Sequence, residues 1–392
     1  MKQRIPTIAE RNRIIERIIT ALDQRSGFLV VGHTNPDEDC LSSMVGFALI
    51  AKKFAKTVSV LLEGPVHDNF DYLLRICRYN SIEIAYSLSE DLEYDTIVVC
   101  DTAKPALLAK CDGLLEAIHD PQSLTIEIDH HLETDSEYHA DRKYALVDQA
   151  TSSCELVGVL GYKLAVHDTF VADRQIPEIF TRNVVLSILT GVVGDTQMGK
   201  FVQNRKERRM YNAFTQIFGA MLFEKTSEQS SNVASINQLF QELKKLSKQE
   251  EECFDAVYRK RRSSSLVSYV VMDQAEYDEL LRSYGEESVS TVLRTIADSL
   301  AEDSGYVSLV AYSATGEKAG VLQCRARRSK HYKGLDLRSV LEKFNVQNGG
   351  GHAGAIGFRF TIAELPCPPD EYVKKLVDGL NEMMYSLEGS QA

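Results

Sequence analysis

The sequence predicts an α/β protein: a first domain built on a mainly parallel sheet, followed by a smaller α/β domain. Three observations predict this class. The chain has 392 residues, which suits two domains better than one. Short apolar runs alternate with stretches of helical periodicity along its first half. A polar stretch then separates these elements from a second group of apolar runs.

The first half begins with an amphipathic helix at residues 8–25, followed by an apolar strand at 27–32. Helical periodicity returns at residues 41–56. Further strands are predicted at 58–62, 82–84, 96–100 and 124–128. This alternation is typical of βαβ units, so we expect a parallel sheet that is covered on both faces.

An apolar segment at 183–193 is too long for an average strand, and we predict a helix that leads Gly194-Asp195-Thr196 into a loop. A charged helix is predicted at 241–251. The second unit contains strand candidates at 266–272, 307–312, 320–325 and 355–360. The predicted organisation is a domain at 1–225, a helical linker at 226–255 and a second domain at 256–392.

Composition excludes several classes of protein. The formal charge of −12 argues against a protein that coats long duplex nucleic acid, because such binding depends on many phosphate contacts. The eight cysteines include no Cys-x-x-Cys pair, which argues against a zinc ribbon. The first residues lack the apolar core of a signal peptide, and no run approaches the ~20 apolar residues that span a bilayer. We predict a cytoplasmic protein with reduced thiols and no membrane contact.

Three of the apolar strands end on polar residues. The run at 27–32 leads into His33, the run at 96–100 into Asp101, and the run at 124–128 into Asp129-His130-His131. Ligands of open α/β sheets bind at the carboxyl ends of the strands. The three polar endings therefore predict one common site.

The residue types at this site suit a divalent cation. Asp37 and Asp39 lie two residues apart in a turn, where their charges would repel each other unless a cation lay nearby. A surface turn with a helix cap is the alternative for this segment, and a loop cap is the alternative for Asp101 or Asp195 taken singly. Carboxylate and imidazole ligands without thiolate suit Mn²⁺, with Mg²⁺ as the alternative.

The ordered motifs resemble those of the DHH phosphoesterase family. Four N-terminal motifs are carried by residues 33–39, Asp101, residues 129–131 and residues 194–196, and Gly349-Gly350-Gly351-His352 resembles the signature of the DHH-associated C-terminal domain. The similarity extends to the branch of bifunctional oligoribonucleases and 3′-phosphoadenosine 5′-phosphate phosphatases. It implies an active site in the cleft between the two domains.

This resemblance implies a pair of divalent ions and a role for each motif residue. The implied metal ligands are His33, Asp37, Asp39, Asp101, His130 and Asp195. Asp101 would bridge the ions, with His33 and Asp37 on one of them and the remaining three ligands on the other. His131 would contact the scissile phosphate, and Asp129 would orient the histidine pair.

The resemblance also implies a substrate site in the second domain. Arg325 would hold a substrate phosphate, and the glycine run Gly349, Gly350 and Gly351 with His352 would form a substrate-binding loop. A flexible turn is the alternative for the glycine run. Two departures from the family pattern concern the pocket wall: Glu38 and Cys40 replace Gly and Ala, and residues 195–199 read Asp-Thr-Gln-Met-Gly in place of Asp-Thr-Gly.

Three functions follow as hypotheses. The first is a metal-dependent phosphodiesterase that hydrolyses short oligonucleotides to 5′-mononucleotides, with 3′-phosphoadenosine 5′-phosphate as a further substrate. The second is hydrolysis of cyclic di-AMP or the linear dinucleotide pApA. The third, which the full set of ligand residues disfavours, is a nucleotide-binding protein without catalysis. The expected partner is a short oligonucleotide or dinucleotide, and a homodimer is one option for the assembly.

Overall fold

The computed structural model describes residues 2, 4–89, 92–132, 136–176, 178–200, 202, 204–226, 233–316 and 319–389. The chain divides into two compact units, Met1–Lys245 and Leu246–Ala392. This division falls inside the linker predicted at 226–255, of which residues 227–232 lie outside the described part. The predicted limits of the two domains stay a prediction.

The first unit contains a six-stranded sheet whose pairs are all parallel. Its strands are β1 (Gly27–Val31), β2 (Thr57–Leu61), β3 (Glu83–Ala85), β4 (Thr96–Cys100), β5 (Leu124–Asp129) and β6 (Ala145–Val147). Their order in the sheet is β3-β2-β1-β4-β5-β6. The predicted parallel sheet is confirmed, although the three-residue edge strand β6 was not expected from the sequence.

Apolar side chains cover both faces of this sheet. On β1, Phe28 and Val30 belong to the larger core cluster, whereas Leu29 and Val31 belong to a smaller cluster on the opposite face. Alternate residues of a strand point to opposite faces, so a strand that is buried on both sides must be apolar throughout. This requirement explains the continuous apolar runs in the sequence.

The helices of the first unit lie before, between and after these strands in the chain. They are α1 (Ile8–Gln24), α2 (Glu38–Lys53), α3 (Asp71–Tyr79), α4 (Leu114–His119), α5 (Ser153–Ala165), α6 (Asp168–Asp173), α7 (Arg182–Asp195), α8 (Arg205–Lys225) and α9 (Ile236–Leu243). Thr7 and Glu10 form a capping box that begins α1. The predicted helix at 183–193 is confirmed, but Asp195 is the last residue of α7 and does not lie in a loop.

The second unit is also an α/β structure, with a mixed six-stranded sheet in the order β11-β12-β10-β9-β8-β7. Its strands are β7 (Arg262–Ser264), β8 (Val267–Met272), β9 (Val307–Ser313), β10 (Val321–Arg328), β11 (Asn348–His352) and β12 (Ala355–Thr361). Its helices are α10 (Lys248–Tyr258), α11 (Gln274–Tyr284), α12 (Glu286–Ser304), α13 (Arg338–Lys343) and α14 (Pro369–Gly389). Among the described strands of this unit, only β8 and β9 pair in parallel.

Two predictions for this region are wrong. The single charged helix expected at 241–251 is two helices, because α9 ends at Leu243 and Ser247 begins α10 with a capping box to Glu250. The glycine run expected as a loop is strand β11, which pairs antiparallel with β12. Within the described ranges, no helix combines the length and the apolar character that crossing a bilayer requires.

Candidate metal centre

The strand order of the first unit reverses between β1 and β4, which are neighbours in the sheet although β2 and β3 intervene in the chain. Such a reversal leaves a crevice outside the carboxyl ends of the two strands, where ligands of this architecture bind. His33 follows β1, and Asp101 follows β4. Asp101 adopts a left-handed backbone conformation with φ of 49°, a strained conformation that is often found at functional sites.

The beginning of α2 brings two further carboxylates to this crevice. Asp37 is the N-cap residue, and its Oδ1 accepts hydrogen bonds of 3.1 Å from the backbone N–H groups of both Asp39 and Cys40. The helix cap proposed as the alternative is therefore present. The same Oδ1 atom lies 3.7 Å from His33 Nε2, so capping and a place in the crevice are compatible.

The two carboxylate oxygens of Asp101 face different histidines. Asp101 Oδ2 lies 3.8 Å from His33 Nε2, on the side of Asp37. Asp101 Oδ1 lies 3.5 Å from His130 Nε2 and 3.7 Å from His131 Nδ1. Asp101 thus lies between two groups of side chains. The first group contains His33 and Asp37, and the second contains His130 and His131.

The second group is completed by residues from two helices. His130 Nε2 lies 3.8 Å from Asp39 Oδ2, at the beginning of α2, and 4.0 Å from Asp195 Oδ2, at the end of α7. Asp39 is buried, whereas the Asp195 side chain is 38% exposed. The structure therefore brings all six predicted ligand residues together in the first unit.

The separations between imidazole nitrogens and carboxylate oxygens are informative. The five distances that join His33 or His130 to an aspartate lie between 3.5 and 4.0 Å, which is too long for a hydrogen bond. Two ligand atoms that are each about 2.1 Å from one ion lie about 3.0 to 4.2 Å apart. The observed separations match a set of metal ligands better than a hydrogen-bonded network.

The electrostatics of the crevice also favour a cation. Burial, together with the charges of Asp101 and Asp195, raises the pKa of Asp39 well above its usual value. Burial is likewise the main reason that the pKa of Asp195 is raised to about 6. For His33, burial opposes the charged form, but Asp37 and the neighbouring carboxylate of Asp101 raise its pKa to about 9. Carboxylates that crowd together in this way are stabilised as anions by a positive charge among them.

Backbone groups at the beginning of α5 hold Asp39 in place. Its two carboxylate oxygens accept hydrogen bonds from the N–H groups of Ser153, at 2.5 Å, and Cys154, at 2.9 Å. The Ser153 hydroxyl donates a hydrogen bond of 2.9 Å to Asp101 Oδ1. Ser152 caps α5. Its neighbour Ser153 orients two carboxylates of the centre.

Gly191 leaves the space that Asp39 occupies. A Cβ atom at this position would lie 2.3 Å from Asp39 Oδ1 and 2.4 Å from Cys154 Sγ. A side chain at position 191 would therefore displace the Asp39 carboxylate, which the backbone of α5 holds in place. The close approach of α2, α5 and α7 at this point requires a glycine.

Asp129 and His131 form a separate pair at the end of β5. His131 Nδ1 lies 2.7 Å from Asp129 Oδ1, and the carboxylate accepts the proton that this nitrogen carries. Burial opposes the charge on Asp129, but His131 and the ammonium group of Lys2 outweigh it and lower the pKa of this carboxyl. Asp129 therefore contacts His131 of the predicted histidine pair, whereas His130 Nδ1 lies 3.3 Å from the carbonyl oxygen of Ala150.

Lys2 was missed by the reasoning from sequence. Its Nζ lies 2.5 Å from Asp129 Oδ2 and 2.6 Å from Glu127 Oε1, and it donates a hydrogen bond of 2.8 Å to the carbonyl of Thr102. The side chains of both ion pairs are 0% exposed. The sequence signal for such a cation is Glu127, an acidic residue inside a mainly apolar strand. A carboxylate that is buried in a sheet requires a positively charged or hydrogen-bonding partner.

Cys40 also lies at the centre, close to His33 and Asp101. Its Sγ accepts a hydrogen bond of 3.3 Å from the backbone N–H of His33. Burial and the neighbouring aspartates raise the pKa of the Cys40 thiol well above its usual value. Cys40 therefore places a buried thiol beside the predicted oxygen and nitrogen donors.

A cavity of about 570 Å³ opens beside the second group of ligands. Its lining includes His130, His131 and Asp195, with Gln149 and Glu207 on the wall. The side chains of Gln149 and Glu207 are joined by a hydrogen bond of 3.2 Å. The cavity is large enough for a small organic ligand, and it places that ligand against the predicted catalytic histidine.

The second unit holds a cavity of about 730 Å³ that is lined by Arg325, Gly349 and Gly351. Arg325 on β10 stands opposite Gly357 on β12, which in turn stands opposite Gly350 on β11. Cβ atoms at the two glycines would meet no atom within 4 Å, so the floor beside the arginine is open. The prediction for the side chain of His352 lies outside the described part of the chain.

Comparison with known proteins identifies the family of one domain of this chain. Residues 27–191 match the model of the DHH family, N-terminal domain. This segment of the first unit is therefore a DHH-family domain, and members of that family are metal-dependent phosphoesterases. Over 96% of its length, the chain is similar to 98% of an exopolyphosphatase-related protein from Bacteroides fragilis, with 16% identity and a TM-score of 0.53. At this identity, the likeness shows a shared fold only.

Two further solved structures are more distant. A pGpG-specific phosphodiesterase from Vibrio cholerae is 13% identical, with 91% of this chain and 99% of that chain covered and a TM-score of 0.34. RecJ from Thermus thermophilus, in complex with Mn²⁺, is 12% identical, with 97% of this chain and 56% of that chain covered and a TM-score of 0.37. No curated protein matches the sequence.

Proposed function

We propose that this protein is a metal-dependent phosphodiesterase that hydrolyses short oligonucleotides to 5′-mononucleotides and also removes phosphate from 3′-phosphoadenosine 5′-phosphate. The observation that carries the proposal is the position of Asp101. Its two oxygens lie 3.8 Å from His33 Nε2 and 3.5 Å from His130 Nε2, as expected of a carboxylate shared by two cations.

Two divalent ions fit the donor set of this centre. His33 and Asp37 would hold one ion, and Asp39, His130 and Asp195 would hold the other. Oxygen and imidazole donors favour Mn²⁺, with Mg²⁺ as the alternative. When bound, the ions supply an activated water and neutralise the charge of the phosphate.

The proposed role of His131 follows from its bond to Asp129. Because Nδ1 donates its proton to Asp129 Oδ1, the other ring nitrogen is the one available to the substrate. Burial disfavours the charged ring, but Asp129 outweighs it, and the pKa of His131 is raised. The Nε2–H group can then donate to a phosphate oxygen and stabilise the negative charge that develops there.

The preference for short substrates rests on charge and on the second unit. A net charge of −12 disfavours extended contact with a long strand, and Arg325 offers a guanidinium beside an open glycine floor. Among the described residues, the Arg325 Nε atom has no hydrogen-bond partner, so it can donate to a ligand. A guanidinium in this setting suits the terminal phosphate of a short chain.

A product assay tests the proposal. Purified protein with Mn²⁺ is incubated with di- to pentanucleotides, cyclic di-AMP, pApA, 3′-phosphoadenosine 5′-phosphate and pyrophosphate, and the products are separated by chromatography. We expect 5′-mononucleotides from the short oligonucleotides. Faster turnover of cyclic di-AMP or pApA would favour the alternative substrate class, and no turnover of any nucleotide would refute a catalytic role.

Asp101→Ala tests the metal centre itself. This variant should retain less than about a tenth of the wild-type rate, because it loses the ligand shared by both ions. The matched control is Asp95→Ala, which removes a carboxylate from the opposite end of β4, where Asp95 accepts a hydrogen bond of 3.0 Å from the N–H of Ser26. Equal loss of rate in both variants would contradict the assignment.

A further inference from the structure

A cavity of about 370 Å³ lies beside α1 and the edge strand β6 of the first unit. Among the residues that the structure describes, it shares no lining residue with the cavity beside His130 and His131. Its volume falls within the range of small-molecule sites, about 300 to 1,000 Å³. This cavity is therefore a separate candidate for a ligand.

The rim of the cavity is positively charged, in a chain whose formal charge is −12. Two acidic residues, Glu10 and Asp141, face five cationic side chains: Arg4, Arg13, Arg17, Arg142 and Lys143. Such a local excess of positive charge attracts anions even when the protein as a whole is acidic.

The two acidic side chains are already engaged by their neighbours. Glu10 caps the first turn of α1 through Thr7 and forms an ion pair of 2.7 Å with Arg4. Asp141 accepts hydrogen bonds from the backbone N–H of Lys143 and forms an ion pair of 3.1 Å with its ammonium group. Two of the five cations therefore have an acidic partner.

The other three cations are Arg13, Arg17 and Arg142, and none of them forms an ion pair within the described ranges of the chain. Arg13 Nε donates a hydrogen bond to the carbonyl of Ala9, which leaves its terminal amino groups for a ligand. The Arg142 guanidinium lies over the ring of Tyr138, 5.4 Å from the ring centroid. Exposed guanidinium groups that converge on a cavity suit a phosphate group.

The floor of the cavity is apolar. Ala145 and Val147 lie on the same face of β6 and belong to a small cluster with Tyr138. Pro6 and Ile14 add further apolar lining. A ligand that fills this space needs a flat apolar part for the floor and an anionic part for the rim.

We propose that this cavity binds a 5′-mononucleotide, with its phosphate at Arg13 and Arg17 of α1 and its base against Tyr138 and the apolar floor. A phosphate satisfies the unpaired guanidinium groups, and a heteroaromatic base covers apolar surface and stacks on aromatic or guanidinium planes. The site requires no metal ion and no residue of the proposed catalytic centre, so it stands or falls separately from the proposed reaction.

Isothermal titration calorimetry of the full chain with Mn²⁺ tests this site, with AMP, adenosine and inorganic phosphate as ligands. The test variant is Arg13→Gln/Arg17→Gln, and the matched control is Arg75→Gln/Arg78→Gln, which removes two exposed arginines from α3. We expect the α1 variant to lose one AMP site or bind AMP at that site at least about tenfold more weakly. The control should match the wild type, and both variants should unfold at the same temperature.

Three results would overturn the proposal. Equal AMP stoichiometry and affinity in the α1 variant and the control would show that the arginines bind no nucleotide. Adenosine that binds as tightly as AMP would remove the role of the phosphate, and inorganic phosphate that binds as tightly as AMP would remove the role of the base. Weakening of the arginine-dependent AMP binding as KCl rises from about 0.05 to about 0.5 M would support it.

Discussion

Lys2→Met should destabilise the first unit more than any surface substitution, because it removes the cation from a fully buried cluster. Lys2 Nζ lies 2.6 Å from Glu127 Oε1 and 2.5 Å from Asp129 Oδ2, and all three side chains are 0% exposed. Methionine preserves the unbranched side chain and leaves the two carboxylates facing each other without the ammonium group between them. The change therefore tests the charge of Lys2 rather than its volume.

The expected loss can be worked from these distances. At 2.6 Å and an effective dielectric constant of about 20, one such pair attracts by about 6 kcal/mol, most of which offsets the cost of burying the charges. Removing one partner of a buried ion pair typically costs about 3 to 5 kcal/mol. Burial already raises the pKa of Glu127 to about 7, so this carboxyl can take up a proton near neutrality. We therefore expect a loss near the lower limit, about 3 kcal/mol at pH 7.

The loss should grow with pH. The pKa of Glu127 in the folded protein, about 7, lies above its ordinary value of 4.5, so the folded state binds more protons than the unfolded state between these values. The stability that this group contributes is complete below about pH 4.5 and is lost as the pH rises through 7. Without Lys2 the folded pKa rises further. The gap between variant and wild type should widen from about pH 6 to about pH 8.5, by at most about 1.4 kcal/mol per pH unit.

Urea unfolding followed by far-ultraviolet circular dichroism measures this loss, since the chain has no Trp to report by fluorescence. Lys245→Met is the control: its ion pair with Glu242 is exposed, and its removal should cost less than about 1 kcal/mol. Lys2→Met/Glu127→Gln should recover part of the loss, and this recovery remains measurable if the single variant folds poorly. A Lys2→Met protein within about 1 kcal/mol of wild type, with no response to Glu127→Gln, would refute the reasoning.

Three further predictions concern the metal centre. Gly191→Ala should lower the free energy of unfolding by about 1 to 3 kcal/mol, because its Cβ would lie 2.3 Å from Asp39 Oδ1. The control Gly46→Ala, whose Cβ meets its nearest atom at 3.4 Å, should be neutral or stabilising. Equal urea midpoints for the two variants would contradict this prediction. Ser153→Ala removes the hydrogen bond to Asp101 Oδ1 and should weaken Mn²⁺ binding by about 10 to 100-fold in calorimetry, and an unchanged affinity would exclude the orienting role. Mn²⁺ at about 100 times its dissociation constant should stabilise the wild type by about 3 kcal/mol in thermal unfolding, and Asp101→Asn should respond much less.

Much of the first unit could be predicted because local patterns follow from local forces. Strands buried on both faces must be apolar throughout, and β1, β4 and β5 were recognised on that ground. Their polar endings could be placed at one edge because parallel strands end together. The edge strand β6 was missed, since three residues carry too little periodicity to be recognised.

Errors in the second half have a different cause. The glycine run at 349–351 has the composition of a loop, but it is held as strand β11 by pairing with β12. Gly351, with φ of 141°, lies where a Cβ atom would approach the carbonyl oxygen of Ala355 to 2.2 Å, so glycine is required by contact with the neighbouring strand. Composition alone does not reveal a partner strand.

The sequence by itself determined the α/β class, the residue types of the centre and the order of its motifs, because these depend on spacing along the chain. The tertiary structure decided which oxygen of Asp101 faces which histidine, that Ser153 orients two carboxylates, and that Lys2 is the cation paired with Asp129, from which it is separated by 127 positions. Such pairings depend on burial and distance in three dimensions. The distance between two residues that lie far apart in the chain is not encoded in their spacing along it.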